Sequence, residues 1–238
     1  MIQYGKQTIE QEDIDAVVGV LTENKYLTTG PRVKLFEDQM CHLVGAQYGV
    51  AVSNGTAALH AAIYALGIGP GDEVICPAIS FAASATCALY CGATPVFCDI
   101  DSDTMNINVN LIEDLITEKT KAIVVVDFAG QVPDFHSLMR IRNKYNLPII
   151  EDAAHATGLK IDGCTKNNSS LYVGGYADLT TFSFHPVKNM TTAEGGMIMT
   201  NNQEYAERMR RFRHHGIDVN YQDRKLYEYD IVDMCYNY

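Results

Sequence analysis

Three stretches of this chain carry residues that could do chemistry. The first holds a lysine between apolar neighbours: Thr181-Phe182-Ser183-Phe184-His185-Pro186-Val187-Lys188, followed by Thr191-Thr192-Ala193-Glu194-Gly195-Gly196. A lysine shielded from water is less protonated and more nucleophilic, whereas a lysine alone in a sequence is normally a solvated surface group. The second is Glu151-Asp152-Ala153-Ala154-His155-Ala156, directly after the apolar run Pro148 to Ile150. Acids at the carboxyl end of a parallel strand lie where α/β sheets bind ligands, and the plain alternative is a helix cap by Asp152. The third is Ser53-Asn54-Gly55-Thr56-Ala57-Ala58-Leu59, a glycine turn entering a helix. Free N–H groups, the positive end of the helix dipole and the Thr56 hydroxyl make a phosphate cradle there, or an ordinary cap.

These residues must be held by elements that the pattern of apolar residues predicts. Ile9, Ile14, Val17, Val18 and Leu21 fall at helical spacing over Thr8 to Glu23, and a second helix is expected from Arg32 to Leu43. Beyond them, short apolar strands alternate with helices. Strands are expected at Tyr48–Val52, Glu73–Cys76, Pro95–Ile100, Ala122–Asp127 and Pro148–Glu151. Helices are expected at Thr56–Leu66, Phe81–Cys91, Val109–Ile116 and Phe135–Tyr145. That alternation implies an α/β protein with a mostly parallel central sheet covered by helices on both faces. Leu179–Phe184 and Met197–Thr200 read as two further strands, forming a hairpin, and Glu204–His214 as a basic helix. Gly67-Ile68-Gly69-Pro70-Gly71 resembles a dinucleotide fingerprint but follows a helix and precedes a strand, so it reads as a helix end and turn.

Composition narrows the function classes. The 238 residues carry 18 basic and 29 acidic side chains, a net charge of −11, which disfavours nucleic acid and anionic membranes as partners. No apolar run of about 18 residues is present, and the polar, acidic N-terminus lacks the features of a signal peptide, so a cytoplasmic protein is expected. The seven cysteines include no CxxC pair; reduced thiols, and no metal site, are expected.

The three stretches resemble together, in order and spacing, the DegT/StrS family of pyridoxal-phosphate (PLP) dependent nucleotide-sugar aminotransferases, which has the aspartate-aminotransferase fold. The resemblance runs from the first helix to Tyr238 through LTTGP, SNGTAALH, ALGIGPGDEVICPAISFAA, GATPVFCDID, EDAAHA, FSFHPVKNMTTAEGG and YNY. It implies that Lys188 holds the cofactor and moves the proton of the transamination, and that Asp152 pairs with the pyridine nitrogen. It further implies that Phe81 stacks on the ring, that Thr56, Ala57 and Ser183 bind the phosphate, and that His155 lies near the cofactor or substrate, a structural histidine being the alternative. His185 precedes a proline at a position that varies in the family, and relatives with histidine in place of the lysine are dehydratases. VVDFAG and FSFHPVK are most similar to the branch that makes pseudaminic acid, which aminates C4 of a UDP-linked 4-keto-6-deoxy-N-acetylhexosamine.

The resemblance implies glutamate as amino donor, a nucleotide sugar as acceptor, and a homodimer. Thr28-Thr29 and Asn237 match positions that reach the partner subunit's cofactor, Asn237 at its phosphate. Relatives continue past YNY with an arginine and a small C-terminal domain, so residues 1–238 are expected to form the PLP-binding large domain without the small one. The plain alternative for Asn237 is a frayed terminus, so weaker cofactor retention than in a full-length relative is expected, and a non-catalytic or regulatory PLP-fold protein needing a complementing chain is the alternative function. Arg208, Arg210, Arg211 and Arg213 spread around their helix as a solvated face, or meet a diphosphate together with Gln222-Asp223-Arg224-Lys225.

Overall fold

Seven strands build one sheet in the computed structural model, which describes residues 5–23, 25–161, 171–218 and 228–238. Cys164 and the Gln222-Asp223-Arg224-Lys225 segment lie outside the described residues. In chain order the elements are α1 (Gln11–Glu23), α2 (Pro31–Val44), β1 (Tyr48–Val52), α3 (Gly55–Ala65), β2 (Glu73–Pro77), α4 (Ala83–Tyr90), β3 (Thr94–Cys98) and α5 (Val109–Leu115). They continue with β4 (Thr120–Val126), α6 (Phe135–Tyr145), β5 (Ile149–Asp152), β6 (Lys160–Ile161), β7 (Leu171–Tyr172), β8 (Leu179–Ser183), β9 (Gly196–Thr200) and α7 (Gln203–Phe212).

The large sheet has the order β1-β9-β8-β5-β4-β2-β3, and β6 pairs with β7 in a small separate ribbon. Every neighbouring pair from β8 to β3 is parallel, while β9 runs antiparallel to both β8 and β1. The sheet is therefore mostly parallel, as expected, with one reversed strand. In β4 all residues but Lys121 are buried, because both faces are covered.

Alternation along the strands sorts the core into two layers. Val74, Cys76, Val124 and Ile150 pack with α3, α4 and α7 on one face. Ile75, Ile123, Val125 and Ile149 pack with α5 and α6 on the other. Helix α3 is buried from Ala57 to Ile63 and again at Ala65. Its alanine-rich sequence lets it lie close against the sheet on all sides. Gly67 adopts φ +74° directly after it, so the glycine-rich stretch is the helix end and turn that the order of elements predicts.

Two boundaries differ instructively from the expected ones. Helix α4 starts at Ala83 rather than Phe81, which leaves Phe81 in the loop after β2 and exposed. Strand β3 ends at Cys98, where Asp99 and Asp101 turn the chain: Ile100 N donates to Asp99 Oδ1 (2.8 Å), and the Asp103 and Thr104 N–H groups donate to Asp101 Oδ1 (both 3.0 Å). Short acids compete for backbone N–H groups and so end the strand. Helix α1 buries none of its residues, and its apolar stripe of Ile14, Val17, Val18 and Leu21 faces outward.

Candidate active site

The carboxyl ends of β5 and β8, the start of α3 and the β8–β9 connection converge on one region. Asp152 is the last residue of β5 and is buried. Its Oδ2 accepts from Ser84 Oγ at 2.6 Å, and Ser84 Oγ in turn accepts from Ser80 Oγ at 2.5 Å. Its Oδ1 accepts the Ala154 N–H at 3.3 Å. Burial pushes the Asp152 carboxyl above the usual range, opposed by the Ser84 hydroxyl, the Ala154 N–H and the positive charge of Lys188. Ser84 is a functional neighbour that sequence reasoning missed; its only signal is a small hydroxyl residue in an otherwise apolar helix.

Lys188 sits half-buried in the connection from β8 to β9. Burial lowers its pKa, and the Asp152 carboxylate partly opposes that shift. The connection is closed at its base: Phe184 N donates to Gly195 O (2.9 Å), and Thr192 N and Thr191 Oγ1 both donate to Phe184 O (3.0 Å each). Gly195 and Gly196 are required by closeness, since a Cβ on Gly195 would run into Thr192 Oγ1 and one on Gly196 into Asn54 O. The glycine pair of the sequence motif thus lets β9 lie against the turn that opens α3.

His155 is half-buried in the same cluster. Its pKa is lowered first by burial, then by Lys188, with Asp152 acting in the other direction. Lys188, Asp152 and His155 therefore form one electrostatic group. His185 is exposed and outside it, with Nδ1 accepting the Val187 N–H at 3.4 Å.

Ser183 ends β8 and meets the start of α3. A Cβ added to Gly55 would lie 2.9 Å from Ser183 Cβ, so only glycine lets the two approach this closely. The Ala57 N–H is taken by Asn54 Oδ1 at 2.8 Å, as in an ordinary cap. The first-turn N–H groups of Gly55 and Thr56 have no acceptor within the helix, and the Thr56 and Ser183 side chains border them. Phe81, 75% exposed, stands at the rim, in the loop after β2.

An open cleft of about 490 Å³ continues from this turn, lined by Asn54, Thr56, Ala57, His60, Tyr236 and Tyr238. The YNY segment is anchored rather than frayed. Tyr236 N donates to Phe212 O and Tyr238 N to Arg213 O (3.0 Å each), and Tyr238 Oη lies 3.0 Å from His60 Nδ1. Asn237 bridges to His214 through its backbone, and the residue is exposed.

The arginines of α7 are not simply a solvated face. Arg208 donates to Tyr64 O (3.0 Å), Arg210 lies 5.9 Å from the Tyr48 ring centre, and Arg213 donates to Glu37 Oε1 (2.6 Å) and Ala51 O (2.7 Å). Arg211 remains exposed. Most of this charge is used to fasten α7 to the body. Among the described residues, no group of histidines, cysteines and acids could hold a metal ion. No helix there is long and apolar enough to cross a membrane.

A half-buried lysine beside a buried aspartate, at the carboxyl edge of this sheet, defines a class of enzyme fold, and comparison with known proteins narrows it. Residues 7–238 match the DegT/DnrJ/EryC1/StrS aminotransferase family, and the chain belongs to that family. The UDP-4-amino-4-deoxy-L-arabinose–oxoglutarate aminotransferase of Shewanella sediminis is 38% identical, over 97% of this chain and 60% of that protein. Helicobacter pylori PseC, an aminotransferase of pseudaminic acid biosynthesis, superposes with a TM-score of 0.88 at 35% identity, over 99% of this chain and 61% of its own. Streptococcus pneumoniae Spr1654, solved in its PLP form, gives 0.87 at 34% identity over 99% and 62%. The family is PLP-dependent, and the chain spans about 60% of the length of these relatives.

Proposed function

We propose that this chain is the cofactor-binding part of a PLP-dependent aminotransferase that moves an amino group from glutamate to C4 of a nucleotide-linked 4-keto-6-deoxy sugar. The observation that carries the reading is the pairing of a desolvated lysine with a buried aspartate whose two oxygens are fixed by Ser84 and Ala154. The donor set fits the cofactor: an amine for its aldehyde, an acid for its ring nitrogen, and a glycine-opened helix start beside Ser183 for its phosphate. When bound, PLP supplies an electron-withdrawing ring that stabilises negative charge on the amino donor.

The chain's own residues then divide the work. Lys188 Nζ would anchor the cofactor and serve as the base that moves the proton of the transamination, and burial, by lowering its pKa, favours the neutral amine this role needs. Asp152 would hold a proton at the ring nitrogen by its charge, and Ser84 fixes the carboxylate's orientation. Thr56, Ser183 and the first turn of α3 orient the phosphate, with Ala57 contributing if its N–H leaves Asn54. Phe81 covers a ring face, and His155 contacts the cofactor or substrate.

The sugar substrate is supported by the relatives, one named for a 4-amino-4-deoxy sugar nucleotide and one for pseudaminic acid biosynthesis. The exposed apolar stripe of α1 supports a homodimer, since contiguous exposed apolar residues mark protein contacts. Thr28-Thr29 and Asn237 would then reach the partner's cofactor. The test is the absorbance spectrum of the purified, PLP-loaded protein before and after glutamate, followed by assays on a panel of 4-keto nucleotide sugars. Both are run with this chain alone and with a supplied C-terminal domain. A spectral change with glutamate and turnover of a keto sugar are expected; turnover of ordinary 2-oxo acids alone would overturn the substrate. Silence from the chain alone and with the added domain would favour a non-catalytic PLP-fold protein.

A further inference from the structure

One buried carboxyl has no use in the scheme above. Asp127 directly follows β4, is fully buried, and neither of its side-chain oxygens has a hydrogen-bond partner among the described residues. A carboxylate in that position would be desolvated with no donor to hold its charge, and buried groups of this kind call for an explanation.

Strand geometry supplies the neighbour. Val125 of β4 is in register with Glu151 of β5, so Asp127, two residues further on, shares the face of Glu151 and not that of Asp152. Glu151 is itself fully buried but is well provided with donors. Its Oε2 accepts from Thr180 Oγ1 at 2.8 Å, its Oε1 accepts from Tyr176 Oη, and the Gly174 N–H donates to it as well. The shared face sets the two carboxyls against each other, and each acts on the other's titration. No ion pair reaches either acid among the described residues, and the titratable groups around them are Asp152 and Tyr176.

We infer that Asp127 and Glu151 form a proton-sharing carboxyl pair, Asp127 as the neutral acid donating to the Glu151 carboxylate, and that this pair is a positioning device for Asp152 and His155. The assignment of the proton follows from the donors: burial pushes both carboxyls up, Glu151 to about 8, but three donors point at Glu151 and none at Asp127, so Asp127 is the stronger holder of the proton. The pair ties the carboxyl ends of β4 and β5 together from behind the sheet. Asp127 N also donates to Asp152 O at 3.1 Å. The turn Phe128–Gly130 that follows lies against the next loop, where a Cβ on Gly130 would come 3.2 Å from His155 O. Buried Asn106 closes the back of the turn, accepting the Phe128 N–H at 3.1 Å and donating to Gln131 O at 2.7 Å. Glu151 and Asp127 thus fix where Asp152 and His155 stand without touching what those residues touch.

The positioning role rests on the cofactor site proposed above; the shared proton does not, and the experiment separates them. Infrared spectra of the full chain without cofactor, with isotope-labelled aspartate, should show at neutral pH a protonated-acid carbonyl band that disappears in Asp127→Asn. A difference spectrum without that band would overturn the pair. Asp127→Asn keeps the shape and a donor to Glu151, so its PLP affinity and its His155 imidazole titration, followed by NMR, should match wild type. Asp127→Ala removes the donor, and should weaken PLP binding by about tenfold or more, the scale of one hydrogen bond to a charged group, and shift the His155 titration. Wild-type affinity and an unmoved His155 in Asp127→Ala would overturn the positioning role. Should Asp127→Ala not fold, failure of Asp127→Asn to restore wild-type binding would do so. Wild-type protein that binds no PLP would sink the cofactor reading while the infrared result still decides the pair.

Discussion

Lys188 and Asp152 stand in opposite electrostatic circumstances that suit their proposed tasks. Burial depresses the lysine's pKa and raises the aspartate's, and each charge partly offsets the shift of the other. A cationic ring nitrogen brought beside Asp152 would favour its charged form and oppose the shift that burial causes. Borohydride reduction of the PLP-loaded protein followed by peptide mass mapping should place the pyridoxyl group on Lys188, and a label on another lysine would refute that assignment. Asp152→Asn should retain PLP but slow the glutamate half-reaction by about 100-fold or more, as losses of a preorganised electrostatic partner do; single-turnover rates near wild type would count against the role.

At the scale of elements, the attachment of α7 is the clearest energetic device. Arg213 at its end reaches Glu37 of α2, which is buried, and the same Glu37 oxygen accepts the Ala51 N–H of β1 at 3.0 Å. Removing the arginine would leave a buried carboxylate without its counter-charge. Arg213→Met should therefore lower the unfolding free energy by about 3–5 kcal/mol, read from urea denaturation, and Glu37→Gln in the same background should recover part of it. A second element-level prediction concerns His60 in the middle of α3. Burial pushes its pKa down to about 4. The unfolded chain binds this proton near the ordinary histidine value and the folded chain does not. Its contribution to stability is thus complete above that value and is lost as pH falls toward about 4. His60→Phe should flatten the decline in urea midpoint between neutrality and about pH 5, and an unchanged acid limb would contradict it.

For the whole molecule, the feature that stands out is an N-terminal helix whose apolar stripe is not buried by any of the described residues. Ile14, Val17, Val18 and Leu21 are each about half exposed. We expect a homodimer by size-exclusion chromatography with light scattering, and expect Val17→Asp with Leu21→Asp to shift it to monomer while leaving the sheet's circular-dichroism signature intact. A monomeric wild type that binds PLP tightly would argue against cofactor sites shared between subunits.

Much was legible from the sequence because it is written locally. Apolar runs of strand length alternating with helical repeats specify an α/β sheet wherever both faces are covered, and the seven strands of the large sheet follow them to within a residue or two, while the short β6–β7 ribbon was not foreseen. The candidate residues Asp152, Ser183 and Thr56 could be placed from the sequence because each lies at or next to the end of a strand or the start of a helix, and Lys188 because it lies in the connection between two strands. Other features depended on contacts between distant segments. Asp127 reads as the end of a valine-rich strand until β5 places Glu151 beside it on the same face. Ser84 reads as one small residue in an apolar helix until α4 sets its hydroxyl on Asp152. Arg213 reads as surface charge until α2 brings a buried Glu37 to it. The common reason is that a polar side chain's meaning is set by its partner, and hydrogen bonds and burial across 68, 24 or 176 residues of sequence leave no periodic trace along the chain.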